Sequence, residues 1–154
     1  MTSWLPKTLW LVSLVGIDQY SKSLAVSIKF KELVPSFLNV KLTENPGVIF
    51  GFLSQSTNHQ QTVLLIIIGL ITIIYFGSLY FKKTLTDFGS YSLGMILSGS
   101  IGNIIDRTLN GYVIDFIDFY YKDLHYWTFN FADSFIVIGL IGWFLSDYYH
   151  NSKA

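Results

Sequence analysis

The chain has 154 residues, of which 51% are apolar, 18% aromatic and only 13% charged. Charged residues make up about 25% of a typical soluble domain, so this composition favours a membrane protein. Ten basic and ten acidic residues balance without forming a basic stripe, so nucleic acid is not an expected partner. Cysteine is absent, which excludes disulfides and thiol catalysis, and the three scattered histidines suggest no metal-binding pair.

Four segments are predicted to span a membrane as helices, each of which needs about 20 residues. They cover approximately residues 4–28, 61–81, 88–105 and 130–149. No small-residue cleavage site follows the first apolar run, so we expect a retained span and not a signal peptide. The third segment is rich in glycine and serine, which predicts close helix packing. The predicted fold is an all-α membrane protein, a four-transmembrane-helix bundle with a single domain over residues 1–154.

A short β element is predicted between the first two helices. Leu38, Val40 and Leu42 alternate with polar residues, which is typical of a half-buried strand. The strand is expected to end at the turn Glu44-Asn-Pro-Gly47. With four spans, residues 29–60 share a compartment with the segment that follows the third helix, although the basic residues do not indicate which compartment this is.

The later half of the first predicted helix contains two charges, Asp18 and Lys22, which lie on one helix face because they are four residues apart. Intramembrane charges are rare and usually pair with one another. The two residues either neutralise each other inside the bundle or also support active-site loops. Asn45 and Gly47, in the turn after the strand, have a functional interpretation only because they share a compartment with the acids described next.

The third helix ends with Asn103, Asp106 and Arg107. A buried amide such as Asn103 must find hydrogen-bond partners. Arg107 is interpreted as an interfacial anchor paired with Asp106, or as a group that holds loop backbone or a phosphate.

Two aspartates flank the loop predicted between the third and fourth helices. Asp115 lies in an apolar Val-Ile-Asp-Phe-Ile context, and Asp133 lies near the start of the fourth helix. Asn130 and Asp133 have the spacing of a capping box, which offers a structural explanation for Asp133 but none for Asp115. If the two acids converge where water is scarce, one keeps its proton while the other is charged, as acid–base hydrolysis requires.

Other acids suggest two alternative functions. A metal-dependent lipid-headgroup enzyme would use Asp106, Asp115 and Asp118. The spacing Asp115-x-x-Asp118 suggests a metal site, although two carboxylates without further ligands make a poor cage. We expect Asp118 and Asp123 to be solvated loop acids. A small transporter would also use intramembrane acids, but the chain lacks the internal repeat of many transporters.

Five motifs in order resemble those of lipoprotein signal peptidases (signal peptidase II), which are bacterial membrane aspartic peptidases. They are Asp18-Gln-x-x-Lys22, Asn45-x-Gly47 with Phe50-Gly51, Gly99-x-x-Gly-Asn103-x-x-Asp106-Arg107, Val113-Ile-Asp-Phe-Ile117 and Phe129-Asn-x-Ala-Asp133. One such motif would be weak evidence for a resemblance, whereas five motifs in the same order are highly specific evidence. The chain departs from the family at Ser98, Ser100 and Ile49, where smaller residues are usual, and these departures concern helix packing and pocket shape.

The resemblance implies an endopeptidase that removes the signal peptide from diacylglyceryl-modified prolipoproteins, cutting before the lipidated cysteine. Asp115 and Asp133 match the catalytic dyad, and no metal or organic cofactor is implied. The positions that shape the site or hold substrate are Asp18, Lys22, Asn45, Gly47, Asn103, Arg107 and Asn130. The implied protein is a monomer in the bacterial cytoplasmic membrane, in contact with membrane lipids. Its termini would be cytoplasmic, and the β element and active site would lie at the outer face.

Overall fold

The computed structural model describes residues 4–47, 58–82 and 85–152, which form four helices and four strands. The helices are α1 (Trp4–Ile28), α2 (Asn58–Tyr80), α3 (Asp87–Asn110) and α4 (Phe131–Asn151). All four predicted helical segments are therefore helices, and α3 continues beyond the predicted end near residue 105. Among the described residues, two helical stretches, His59–Tyr80 and Phe131–His150, are long and apolar enough to cross a membrane by length and composition.

Helix α3 is the central helix, since it contacts α1, α2 and α4. Leu93, Ile96 and Leu97 of α3 form a buried cluster with Tyr80 at the end of α2. Small residues allow α3 and α4 to approach closely: a Cβ atom on Gly139 of α4 would lie 2.7 Å from the carbonyl oxygen of Ser92 in α3. The predicted tight packing of the third segment is thus observed.

Local signals explain where α3 begins and ends. The Thr86 hydroxyl caps its start by accepting a hydrogen bond of 3.0 Å from the Gly89 backbone N–H. Gly111 ends the helix in the left-handed conformation with φ 84°, which glycine adopts without the steric cost of a side chain. This end directs the chain immediately into the strand that contains Asp115.

The strands form one antiparallel sheet in the order β1-β2-β3-β4. They are β1 (Phe30–Val34), β2 (Leu38–Asn45), β3 (Val113–Tyr121) and β4 (Leu124–His125). The predicted β element between the first two helices is present as β1 and β2. The mostly helical fold with a small β element is confirmed, but the loop predicted between the third and fourth helices was wrong, because β3 pairs along β2 and β4 pairs with β3.

The missed strand has a physical reason. Residues 113–121 are almost all β-branched or aromatic, which favours a strand, but the pairing partner β2 is distant in sequence. Alternation along β3 is also obscured, since Asp115, Phe116 and Asp118 are all buried. The pairing places Thr43 opposite Asp115, so β2 and β3 position this carboxylate.

Gly99 supplies a test of the close contact between α3 and α4. A Cβ atom at Gly99 would overlap the carbonyl oxygen of Ala132, a backbone atom that cannot rotate away. Gly99→Ala is therefore expected to lower the free energy of unfolding by about 1–3 kcal/mol. Gly77→Ala in α2 is the matched control, because no described atom lies within 4 Å of its added Cβ. Thermal unfolding in detergent measures both, and equal stability of the two variants would contradict this packing.

Candidate active site

Lys22 forms the centre of a buried charge cluster between α1 and α3. Its Nζ lies 2.8 Å from Asp18 Oδ2 and 2.9 Å from Asp106 Oδ2, and it donates a hydrogen bond of 3.2 Å to Asn103 Oδ1. The predicted Asp18–Lys22 pair is present. The interpretation of Asp106 as the ion partner of Arg107 was wrong, because Asp106 pairs with Lys22.

The same cluster anchors the elements on both sides of the site. Asp18 Oδ1 accepts a hydrogen bond of 2.9 Å from the Ala132 backbone N–H at the start of α4. Asp106 Oδ2 accepts one of 3.0 Å from the Ile114 N–H at the start of β3. Two buried carboxylates therefore hold the beginnings of the two elements that contain Asp115 and Asp133.

Gln19 is a further member of the cluster to which sequence reasoning assigned no role. Its amide nitrogen donates to Asp18 Oδ2 at 3.1 Å, to Asp106 Oδ1 at 3.1 Å and to the Gly102 carbonyl at 3.2 Å. The only indication in the sequence that Gln19 belongs to the cluster was its position beside Asp18 in the first motif.

Two buried amides connect the candidate catalytic aspartates. Asn130 Nδ2 donates a hydrogen bond of 2.7 Å to Asp115 Oδ1 and contacts Asn103 Oδ1 at 3.2 Å. Asn103 Nδ2 donates one of 2.8 Å to Asp133 Oδ1. Asp115 and Asp133, on different elements, are thus joined through neighbouring amides that orient both carboxylates.

Asp133 also belongs to the predicted capping box of α4. The Asn130 side chain accepts a hydrogen bond of 2.9 Å from the Asp133 N–H, and Asp133 Oδ2 accepts one of 3.4 Å from the Asn130 N–H. The other oxygen, Oδ1, is the one bound by Asn103. The cap therefore fixes the orientation of this carboxylate relative to the buried amides.

Asp115 is 1% exposed and is held by two amides, since Asn45 Nδ2 donates a hydrogen bond of 2.9 Å to Oδ2 in addition to the Asn130 contact. Burial raises the pKa of Asp115 to about 7, the bond from Asn45 opposes this shift, and the nearby charge of Asp133 adds to it. This carboxyl can hold a proton near neutral pH.

A cleft of about 580 Å³ opens beside the two aspartates. Its described lining residues are Asn45, Asp115, Tyr126, Trp127, Thr128, Phe129, Asp133, Ser134, Val137 and Ile138. Polar groups lie at one part of the wall, while aromatic and aliphatic side chains form the rest. The arrangement suits a peptide with apolar side chains whose backbone lies next to a pair of acids.

Gly47 and Arg107 lie at the edge of this site. Gly47 has a φ of 90°, and its N–H donates a hydrogen bond of 2.8 Å to Asn45 Oδ1, so this turn orients the amide that binds Asp115. Arg107 Nη1 donates to the Asn103 carbonyl at 3.4 Å, which is backbone of its own helix and not of a loop, so its predicted role in holding loop backbone or a phosphate stays a prediction. Its Nε has no hydrogen-bond partner among the described residues.

Asp118 was expected to be a solvated loop acid, and this expectation was wrong. It is fully buried in β3, where it pairs with His125 at 2.8 Å and accepts a hydrogen bond of 3.4 Å from Asn39. The sequence around Asp118 does not indicate that its carboxylate is buried and paired, because the partner His125 lies on a different strand, β4. Asp123 is exposed, as expected.

The acids of the alternative metal site are held apart by separate partners. Asp106 binds Lys22, Asp115 binds amides and Asp118 binds His125. Within residues 4–47, 58–82 and 85–152, no three histidine or acidic side chains are grouped as metal ligands. This arrangement does not favour the lipid-headgroup enzyme.

Of the three residues that depart from the family pattern, two lie in the described part of the structure and one does not. Ser98 and Ser100 are buried in α3, and the Ser98 hydroxyl donates a hydrogen bond of 2.8 Å to the Met95 carbonyl, so its polar atom is satisfied within the helix. Ile49, together with Phe50 and Gly51 of the second motif, lies outside the described residues.

Comparison with known proteins identifies relatives over most of the chain. The sequence model of the family "Signal peptidase (SPase) II" matches residues 10–148. A lipoprotein signal peptidase of Solibacter usitatus is 39% identical over 108 residues, which are 70% of this chain and 66% of that protein. One from Neisseria meningitidis serogroup C is 33% identical over 138 residues, 86% of this chain and 84% of that protein.

The fold is shared with a bacterial membrane enzyme solved by the in meso method at 2.3 Å resolution. The two chains superpose with a TM-score of 0.81 at 29% identity, over 96% of this chain and 90% of the other. Because the family match spans nearly the whole chain and the fold agrees, this chain belongs to the signal peptidase II family.

Proposed function

We propose that the chain is an aspartic endopeptidase that removes the signal peptide from diacylglyceryl-modified prolipoproteins, cutting before the lipidated cysteine. The observation that carries this proposal is the convergence of Asp115 and Asp133 on one cleft, joined through Asn130 and Asn103. The relatives named above, which are lipoprotein signal peptidases, support the substrate class.

The proposed chemistry needs one ionised and one protonated carboxyl group. The raised pKa of Asp115 supports its assignment as the proton donor, which leaves Asp133 as the base. Asp133 takes a proton from water while the water oxygen bonds to the scissile carbonyl carbon. Asp115 donates a hydrogen bond to the developing oxyanion. The C–N bond then breaks, and the cysteine nitrogen leaves with a proton supplied by the acid pair.

Asn45, Asn103 and Asn130 orient the two acids, and the cluster around Lys22 holds the elements that contain them. Neutral amides are suited to this task because they bind a carboxylate without neutralising its charge, so proton exchange between the two acids and the substrate is still possible. Arg107 is proposed to hold substrate or loop backbone at the edge of the cleft.

All four helices are proposed to span the cytoplasmic membrane of a bacterium, with cytoplasmic termini and the sheet and dyad at the outer face. The charges of α1 that would oppose insertion, Asp18 and Lys22, are buried against α3. Val137 and Ile138 line the cleft yet are 56% and 55% exposed, so the lipid chains of a substrate can remain in the bilayer beside α4. A monomer with a single domain is sufficient for this activity.

The pH dependence of cleavage tests the assignment of the proton to Asp115. Activity is expected to fall as the pH rises through about 7, because Asp115 then loses its proton. Asn45→Ala removes a hydrogen bond that lowers this pKa, so the alkaline limb of the pH–rate profile should move to higher pH. An alkaline limb that stays in place, or moves to lower pH, would contradict the assignment.

The raised pKa of Asp115 also predicts how the stability of the protein changes with pH. Because the folded-state pKa is raised, the stability that Asp115 contributes is present at low pH and is lost between its ordinary value of 3.8 and about 7. Denaturant unfolding of wild type and Asp115→Asn at several pH values measures this loss, which the variant should lack.

The proposed function is tested with purified protein in lipid vesicles and two forms of one precursor peptide, with and without the diacylglyceryl group on cysteine. Mass spectrometry should find cleavage before cysteine in the lipidated form and far less in the other, and a chelator should change neither rate. Activity that is lost with the chelator and restored by magnesium would instead indicate the metal-dependent enzyme. Ion flux across the vesicles without cleavage would indicate a transporter.

A further inference from the structure

A second polar cluster lies on the sheet next to the cleft, and the proposed chemistry does not use it. The Asp118 side chain is 0% exposed, and His125 Nδ1 contacts both of its oxygens, at 3.0 and 2.8 Å. A carboxylate buried to this extent is unfavourable unless it is paired and hydrogen-bonded. The structure therefore holds His125, and with it the short strand β4, against β3.

The His125 ring is fixed on a second side by Tyr120. The two rings stack with centroids 5.4 Å apart and planes 14° apart. The Tyr120 hydroxyl donates a hydrogen bond to Glu32 of β1 and accepts one of 2.8 Å from the Ser36 N–H. The imidazole is thus held between a buried acid and an aromatic ring that is itself tied to the first hairpin.

The segment that follows His125 forms a wall of the cleft. Tyr126, Trp127, Thr128 and Phe129 all line it, together with Asp115 and Asp133. This wall is attached to β3 by hydrogen bonds near both ends: Tyr126 N–H to the Phe119 carbonyl at 2.7 Å, and Phe129 N–H to the Ile117 carbonyl at 3.1 Å. The Asp118–His125 pair lies immediately before the first of these attachments.

We infer that Asp118 and His125 form a clamp that positions the 126–129 wall and so determines how tightly the precursor binds. This inference rests on the proposed peptidase function. Neither residue is among the described residues that line the cleft, so both act through the wall and are positioning residues. The dyad has its own supports in Asn45, Asn103 and Asn130, so loss of the clamp should weaken substrate binding more than it slows the chemical step.

Cleavage kinetics of the purified enzyme in vesicles test the clamp. His125→Phe keeps a ring against Tyr120 but leaves the Asp118 carboxylate unpaired, and it is expected to raise KM by about tenfold with kcat within about twofold. His125→Asn, whose amide nitrogen can take the place of Nδ1, should restore part of the lost binding. Asp123→Asn, an exposed acid in the same hairpin, is the matched control and should match the wild type.

A double variant separates the clamp from a purely structural role. If His125 acts through the wall, His125→Phe combined with Trp127→Ala should raise KM no further than the larger single change. Where His125→Phe yields too little folded protein, Asp118→Asn replaces it, because the amide keeps the shape of the side chain and removes its charge.

Three outcomes overturn the clamp. An unchanged KM in His125→Phe, with kcat reduced only in proportion to the folded fraction, would leave His125 a structural role alone. If the increase in KM of the double variant equals the product of the two single increases, His125 does not act through the wall. A wild-type enzyme that cleaves no precursor would overturn the proposed function as well, so the wild-type arm separates this failure from the first two.

Discussion

Asp115→Asn and Asp133→Asn are each expected to reduce cleavage of a diacylglyceryl-modified precursor by about 10²–10⁴-fold. Either amide removes one of the two proton-transfer groups, so the remaining carboxyl cannot serve as both base and acid. Asparagine keeps the size of the side chain, and the surrounding amides can rotate to accommodate it. The loss should therefore be in kcat, with a folded protein.

The controls for this prediction come from the same part of the fold. Asp123→Asn changes an exposed acid and should leave the cleavage rate unchanged. The folded fraction of each variant is measured by thermal unfolding in detergent, where Asp115→Asn should be at least as stable as the wild type above pH 7, because it removes a buried charge. Cleavage near the wild-type rate by either folded dyad variant would contradict the roles given to these residues.

Lys22→Met is expected to have the largest effect on stability. Lys22 is 1% exposed and neutralises two carboxylates, Asp18 and Asp106, that are 0% and 2% exposed. Methionine fills similar space but leaves two buried negative charges beside each other. Removing one partner from a buried ion cluster typically costs about 3–5 kcal/mol of unfolding free energy.

A second variant shows whether this loss comes from charge. Lys22→Met combined with Asp18→Asn and Asp106→Asn removes all three charges, so it should recover a large part of the lost stability. Lys31→Met, at an exposed position of β1, should unfold like the wild type. Denaturant unfolding in one detergent compares all of them, and wild-type stability of Lys22→Met would contradict the role of the cluster.

The helices could be predicted from sequence because their signals are local. A run of apolar residues, the Asp18–Lys22 spacing and the Asn130–Asp133 capping box all depend on residues within one or two helical turns, and each is present in the structure. The pairing of Asp115 with Asp133 was expected from the resemblance of the motifs to the family, because burial of an acid alone predicts only that the acid has partners.

The sheet around Asp115 could not be predicted in the same way. Strand β3 depends on pairing with β2, about seventy residues earlier in the chain, as the contact of Asn45 with Asp115 shows. The partners of Asp106 and Asp118 are Lys22 and His125, and neither is indicated by the neighbouring sequence. Ion pairs between residues of different helices or strands can be identified only from the tertiary structure.

The central claim is that Asp115 and Asp133 act as one catalytic unit, and the single-turnover cleavage rate of the double variant Asp115→Asn/Asp133→Asn tests it most directly. Residues that act as a unit show strongly non-additive losses. The predicted result is that the double variant retains the same small residual rate as each single variant, within about threefold. A single variant that keeps more than about a tenth of the wild-type rate, or a double variant whose loss is the product of the two single losses, would contradict the claim.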